Sequence, residues 1–247
     1  SWLKFRDITQ YWLAKGVDGF RYDMAEMVPV EFWSYLNSQI KQTNPQAFLL
    51  AEVYNPDKYR DYIALGKMDY LYDKVGFYDS LKGVMQETSP TSVLIDAQAS
   101  VMDIEQHMLH FLENHDEQRI ASPEFAGTSE KGKPALVVSA LISRSPTLIY
   151  FAQEVGEDGS ENMGFGLPSR TTIFDYAGVP AYQRWTNQGK FDGAMLSSQE
   201  RKLREYYRRV LVISASQIAM QGEYVDLHKV NIALNGDYDE TLFAYSR

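Results

Sequence analysis

Three carboxylates, each placed at or just beyond the end of an apolar run, constrain this 247-residue chain more than any other feature. Asp23 closes Gly19-Phe20-Arg21-Tyr22-Asp23, Glu52 closes Ala47-Phe48-Leu49-Leu50-Ala51-Glu52, and Asp116 lies two residues past His110-Phe111-Leu112-Glu113-Asn114. Their spacings, 29 and 64 residues, are close to one and two βαβ repeats of roughly 30 residues or a little more. A continuously apolar run suits a strand covered on both faces, as in a parallel sheet packed by helices. Acids spaced this way arrive together at one end of such a sheet, where a βα-barrel keeps its chemistry.

The segments between the acids support that frame. Leu3, Phe5, Ile8, Tyr11, Trp12 and Leu13 follow a helical period that stops at Gly16. Pro29, at an early helical position, opens a helix over 30–43 with Phe32, Trp33, Leu36 and Ile40 on one face, and Asn44-Pro45 ends it. Further helices are predicted over 56–65, 77–87, 91–107, 134–143 and 197–215, and further strands over 68–73, 110–114 and 147–151. The Gly- and Ser-rich stretch from Gly156 to about Gly193 is too long for a plain connector and reads as a functional or inserted loop. Beyond Gly222, residues 224–227 and 241–245 read as antiparallel strands joined by a turn at Asn235-Gly236-Asp237.

The reading is therefore α/β: a TIM-type (β/α)8 barrel, incomplete in this chain, over 1–221, with an all-β domain opening at 222–247. Five parallel strands do not close a barrel, which needs eight with consistent tilt and shear. The chain enters a helical pattern at Ser1 without a leader and stops inside a strand-like run at Arg247, so three further strands are expected upstream. The open edges at 19–23 and 147–151 invite pairing. Self-association through them, and inactivity of the 247 residues alone, are the corresponding expectations.

Composition narrows the partners. A formal net charge of −9 argues against nucleic acid, whose phosphates demand a basic face. No apolar run approaches the roughly 18 residues of a membrane span. With no cysteine, disulfides, thiolate chemistry and Cys-based metal sites are excluded. Seventeen Tyr, twelve Phe and four Trp mostly serve core packing, although rings lining a cleft also stack on sugars. Tyr70, Tyr72 and Tyr78 read as half-buried core. His107 and His110 stand at i and i+3, but His110 enters a strand, so a metal pair is not expected; His228 reads as a surface residue. Gly156, Gly159, Gly164 and Gly166 lack the strand–loop–helix setting of a phosphate-binding loop.

At Gly19-Phe20-Arg21-Tyr22-Asp23-Met24-Ala25, Ala51-Glu52-Val53-Tyr54 and Phe111-Leu112-Glu113-Asn114-His115-Asp116 the chain resembles the α-amylase family, glycoside hydrolase family 13. These look like three of that family's four signature regions, in order. Gln153 to Glu157 and Arg170 to Tyr176 also resemble the segment after the family's last barrel strand. The resemblance implies a retaining glycosidase that cleaves α-1,4-glucans, starch or maltooligosaccharides, by double displacement. Such enzymes use two carboxyl groups about 5–5.5 Å apart. By resemblance Asp23 is the nucleophile, Glu52 the acid/base that starts protonated, and Asp116 the carboxylate that holds sugar hydroxyls. Arg21, on the same strand face as Asp23, keeps it ionised, and His115 hydrogen-bonds the sugar ring.

Members often carry Lys and His three and four residues after the nucleophile, on the leaving-group side. Glu26 and Met27 stand there in this chain, which leaves hydrolysis against transfer open. Arg119 reads equally as a substrate-side residue or as an ion-pair partner of Glu117 or Glu113. An α-glucan transglycosylase or isomerising relative is the close alternative. A non-catalytic relative used for binding or assembly is the alternative of another class; such relatives typically lose a carboxylate, and all three are retained here. Plain structural roles also exist: Asp23 as a helix cap, Glu52 as a solvated loop acid, and Asn114-His115-Asp116 as a hydrogen-bonded cluster. No metal ligand or cofactor is expected of these residues, because the family's calcium-binding inserted domain is not among them; a structural calcium belongs to a longer protein. Cellular location is left open.

Overall fold

The computed structural model describes residues 1–161, 169–171 and 178–247. Its frame is a five-stranded parallel sheet whose spatial order follows the sequence: β1 (Gly19–Tyr22), β2 (Phe48–Ala51), β3 (Tyr70–Tyr72), β4 (Met108–Phe111) and β5 (Thr147–Leu148). Strands taken in chain order, each followed by helix, fit part of a (β/α)8 barrel.

Helix α1 (Trp2–Ala14) precedes β1, and α2 (Val30–Thr43) connects β1 to β2. Pro29 caps α2 from outside, and Phe32, Trp33, Leu36, Asn37 and Ile40 form its buried stripe. The one polar member of that stripe is satisfied: Asn37 accepts from the Tyr22 hydroxyl at 2.8 Å and donates to Gly66 O at 2.7 Å, as a buried amide must. Trp33 Nε1 donates to Ala25 O at 2.9 Å, which pins α2 beneath the turn that follows Asp23. The stripe packs on Leu49, Ala51, Val53 and Leu71 of the sheet side.

Helices α3 (Tyr59–Ala64), α4 (Asp79–Met85), α5 (Val93–Ser100) and α6 (Lys133–Leu141) continue the alternation. The expected helix over 91–107 is shorter, since the chain breaks after Ser100 and re-enters β4 through a 3-10 turn at Glu105–His107. Helix α7 (Pro180–Thr186) lies within the long stretch read as a loop. Helix α8 (Ser198–Ser216) starts with a capping box, Ser197 with Glu200, and buries Leu203, Tyr207 and Val210 beside α6. Gly164, Gly166 and the Thr172 to Tyr176 part of the Arg170 to Tyr176 segment lie outside the described residues.

At the C-terminal end, β6 (Val225–Asp226) and β7 (Tyr245–Ser246) pair antiparallel as expected. They are not joined by a tight turn: α9 (His228–Leu234) intervenes. His228, expected at the surface, is buried; it meets Thr91 at 3.3 Å and the Tyr238 hydroxyl at 3.1 Å. The ring serves as a polar anchor between this segment and the helical layer. Arg247 lies 3.3 Å from the buried Glu105, a second tie.

Two features fix the sheet geometry that matters below. The β1–β2 register sets Tyr22 opposite Ala51, so the next residues, Asp23 and Glu52, leave the sheet side by side. The pairing carries on past the strands through Glu52 N to Tyr22 O and Ala25 N to Glu52 O. Gly19 permits this approach, because a Cβ there would lie 2.0 Å from Phe48 O.

Candidate active site

The three carboxylates converge at the C-terminal end of the sheet. Asp23, Met24, Glu26, Glu52, Tyr54 and Asp116 line one open pocket of about 290 Å³. Asp23 and Glu52 come from the first residue after β1 and β2; Asp116 comes from the loop five residues beyond β4.

Arg21 organises the first pair. Its Nη1 donates to Asp23 Oδ1 at 2.6 Å and its Nη2 lies 3.4 Å from Glu52 Oε2. The guanidinium also lies over the Tyr72 ring, 5.6 Å from its centre. The Arg21 hydrogen bond is the main reason that the Asp23 carboxyl is held below the usual carboxylate range. Asp23 is 70% exposed at its side chain, whereas Glu52 is 7% exposed. The two acids thus differ in environment: one open and ion-paired, the other enclosed. Met24, in the left-handed region at φ 42°, turns its N–H onto Glu52 Oε2 at 2.9 Å. A non-glycine residue held there is a local strain of the kind that collects at functional sites.

The third acid is placed by turn chemistry. Asn114 Oδ1 accepts from the N–H groups of Asp116 and Glu117 at 2.7 and 2.9 Å. Asp116 meets His115 Nε2 at 3.0 Å and Arg170 Nη2 at 3.1 Å. Arg170 also donates to His115 O. Below this loop, Glu113 is fully buried; it accepts from Ile120 N and pairs with Arg119 Nη1 at 2.8 Å. Burial is what pushes the Glu113 carboxyl up, against the pull of Arg119.

The structure separates the candidate residues. Asp23, Glu52, Asp116, Arg21 and His115 come together. Arg119 does not reach the pocket: it is fully buried and spent on Glu113, Phe151 O and Thr171, so the substrate-side reading gives way to the ion pair. The reason is that a buried carboxylate is stabilised by a paired cation, and Arg119 Nη1 lies 2.8 Å from it. Met27 is 71% exposed and is not among the pocket-lining residues. Glu26 lines the pocket, yet its Oε2 is occupied by Tyr54 N and Asn55 N.

Tyr54, Met24 and Arg170 were missed as site residues by sequence reasoning. Tyr54 donates its hydroxyl to Glu52 Oε1 at 2.5 Å. Its position two residues beyond Glu52 was the available signal; for Arg170, 54 residues from Asp116, the resemblance of Arg170 to Tyr176 to a family segment marked the region but not the contact. His107 and His110 form no pair: His107 Nδ1 contacts Asp69 O, while His110 stacks on Phe77 and contacts Ser139 O. Among the described residues no group of three or more His, Cys, Asp or Glu side chains could hold a metal ion. No helix there is long and apolar enough to cross a membrane.

The model of the α-amylase catalytic domain matches residues 3–219. The chain belongs to the α-amylase family. Among α-amylase relatives, a cyclomaltodextrinase from a Bacillus species is 26% identical over 165 residues, which cover 63% of this chain and 28% of that protein. Alpha-amylase 2 of Dictyoglomus thermophilum is 24% identical over 223 residues, covering 88% of this chain and 36% of the other. In fold, the chain is similar to the cyclic α-maltosyl-(1→6)-maltose hydrolase of Arthrobacter globiformis, with a TM-score of 0.68 and 17% identity over 89% of this chain and 46% of that one. The chain spans between 28% and 46% of the length of these relatives.

Proposed function

We propose that this chain carries the catalytic carboxylates of a retaining glycosidase acting on α-1,4-linked glucans by double displacement. The observation that carries the reading is Arg21 between Asp23 and Glu52 at the sheet end, with Asp116 in the same pocket. Family membership supports it, and so do the names of the relatives, a cyclomaltodextrinase and an α-amylase.

In this reading Asp23, kept ionised by Arg21, attacks the anomeric carbon while Glu52 gives its proton to the departing glycosidic oxygen. Water then displaces Asp23 as Glu52 takes a proton back. Asp116, His115 and Arg170 hold the sugar ring, and donors that tighten in the transition state add to rate rather than to affinity. Asp23→Asn, in a protein where these residues form part of a closed barrel, abolishes turnover of maltooligosaccharides; unchanged turnover refutes the assignment.

Transfer to a second sugar is the competing outcome of the same chemistry. Glu26 and Met27, where relatives often carry Lys and His, and the similarity to a cyclomaltodextrin glucanotransferase of Paenibacillus macerans, 25% identical over 98% of this chain and 36% of that protein, favour keeping it. Products longer than the substrate, seen by chromatography, decide for it.

Three further βα segments complete the barrel in this proposal, lying against β1 and β5. The apolar face of α1, with Trp2, Phe5, Ile8, Tyr11 and Trp12 exposed, is the surface they cover. Residues 222–247 are read as the opening of a β-domain.

A further inference from the structure

The two oxygens of Glu52 have unlike partners. Among the described residues Oε2 receives two donors, Met24 N–H at 2.9 Å and Arg21 Nη2 at 3.4 Å. Oε1 faces the Tyr54 hydroxyl. An amide N–H or a guanidinium cannot accept a hydrogen bond, whereas a hydroxyl both donates and accepts. With two donors turned onto Oε2 and a hydroxyl on Oε1, Oε1 is the better placed of the two to carry a proton. Tyr54 itself stays protonated, because burial first and then the neighbouring Glu52 push its phenol far up. What places Tyr54 is Glu26: its Oε2 accepts from Tyr54 N at 3.2 Å and Asn55 N at 2.9 Å, tying the loop after β2 to the turn after β1.

We propose that Glu26 is a positioning residue for the general acid/base, holding Tyr54 so that its hydroxyl orients the proton-carrying Oε1 of Glu52. The inference rests on the acid/base role assigned to Glu52 above. In the first step the proton leaves Oε1 for the glycosidic oxygen as the C1–O bond breaks and Asp23 bonds to C1; Tyr54 then donates to the new carboxylate. In the second, water adds to C1, its proton passes to Oε1, the Asp23–C1 bond breaks, and Tyr54 turns to accept.

The test compares kcat/KM on maltooligosaccharides, whose leaving group needs a proton, with α-maltosyl fluoride, whose leaving group does not. It is run in the protein with its barrel complete. Tyr54→Phe and Glu26→Ala should each lower the maltooligosaccharide value about 10- to 100-fold, a share of the 10²–10⁴ that acid–base catalysis supplies. The fluoride value should fall less than about 3-fold, which also shows that the variants fold. Glu26→Gln should restore most of the loss, since its amide oxygen accepts the same N–H groups. Equal losses on both substrates, or no loss in either variant, overturn the proposal. Glu52→Gln run alongside separates the two levels: if it spares maltooligosaccharide turnover, the acid/base reading itself fails.

Discussion

Arg21, on the edge strand β1, and Asp23, the first residue past its end, meet at 2.6 Å through Nη1 and Oδ1. At the exposure of Asp23 such a pair adds little to stability. Its effect falls on ionisation: Arg21 holds the nucleophile candidate charged, while its other nitrogen lies 3.4 Å from the enclosed Glu52. One cation thus serves two acids in different environments, the arrangement that lets neighbouring carboxyl groups take different roles.

Removing Arg21 should shift the acidic limb of activity upward. Asp23 is held below its ordinary value chiefly by the Arg21 hydrogen bond, so Arg21→Gln raises its pKa and the charged form is lost at a higher pH. The acidic limb of kcat/KM, which reports the free enzyme, then moves to higher pH. An unmoved limb in a pH–rate profile counts against Arg21 as the cause.

Arg119→Met should be strongly destabilising although it lies outside the pocket. It strands Glu113, which is fully buried, and breaking a buried pair from one side costs about 3–5 kcal/mol. Urea unfolding measures this. The double change with Glu113→Gln should recover a large part, and a single variant as stable as the parent contradicts the pairing.

Asn114→Ala should lower both stability and turnover. Its side chain holds the N–H groups of Asp116 and Glu117; losing each bond costs about 0.5–1.5 kcal/mol and frees the Asp116 loop. Thermal unfolding and kcat are to be read together: a stable variant with normal kcat removes the turn from the site's support.

Gly19→Ala should separate β1 from β2, since the new Cβ would sit 2.0 Å from Phe48 O. Overpacking of this kind costs about 1–3 kcal/mol or more. It also displaces Asp23 from Glu52, so activity falls further than stability. Wild-type activity in this variant shows that the strands tolerate the shift.

The 247-residue chain by itself should show no turnover of maltooligosaccharides, because β1 and β5 are both edge strands and such edges pair with what is available. Size-exclusion chromatography should show association. Reducing-sugar release by a monomer of this chain refutes both statements.

Strand order, the helix over 30–43 and the place of Asp23 and Glu52 were legible because apolar runs, Pro29 and the motif spacing act locally. Boundaries were less so. The strand expected over 110–114 ends at Phe111, because Glu113 and Asn114 spend their side chains on Arg119 and on backbone N–H groups. The turn expected at Asn235-Gly236-Asp237 does not join β6 to β7 directly, because α9 lies between them. His228 was read as exposed since nothing in its neighbours reveals Thr91, 137 residues away.

What the sequence by itself determined is which residue types stand at the ends of β1 and β2 and beyond β4, and hence the family: covalent spacing and hydrophobic period are properties of the chain alone. Tertiary structure alone decided which polar groups those acids meet. It assigned Arg119 to a buried Glu113 and brought Arg170 to Asp116. It also set Oε2 of the pocket-lining Glu26 on the amides of Tyr54 and Asn55. Buried and half-buried polar groups take whichever partner the packed backbone brings within about 3 Å, and that distance is set by elements far apart in the chain.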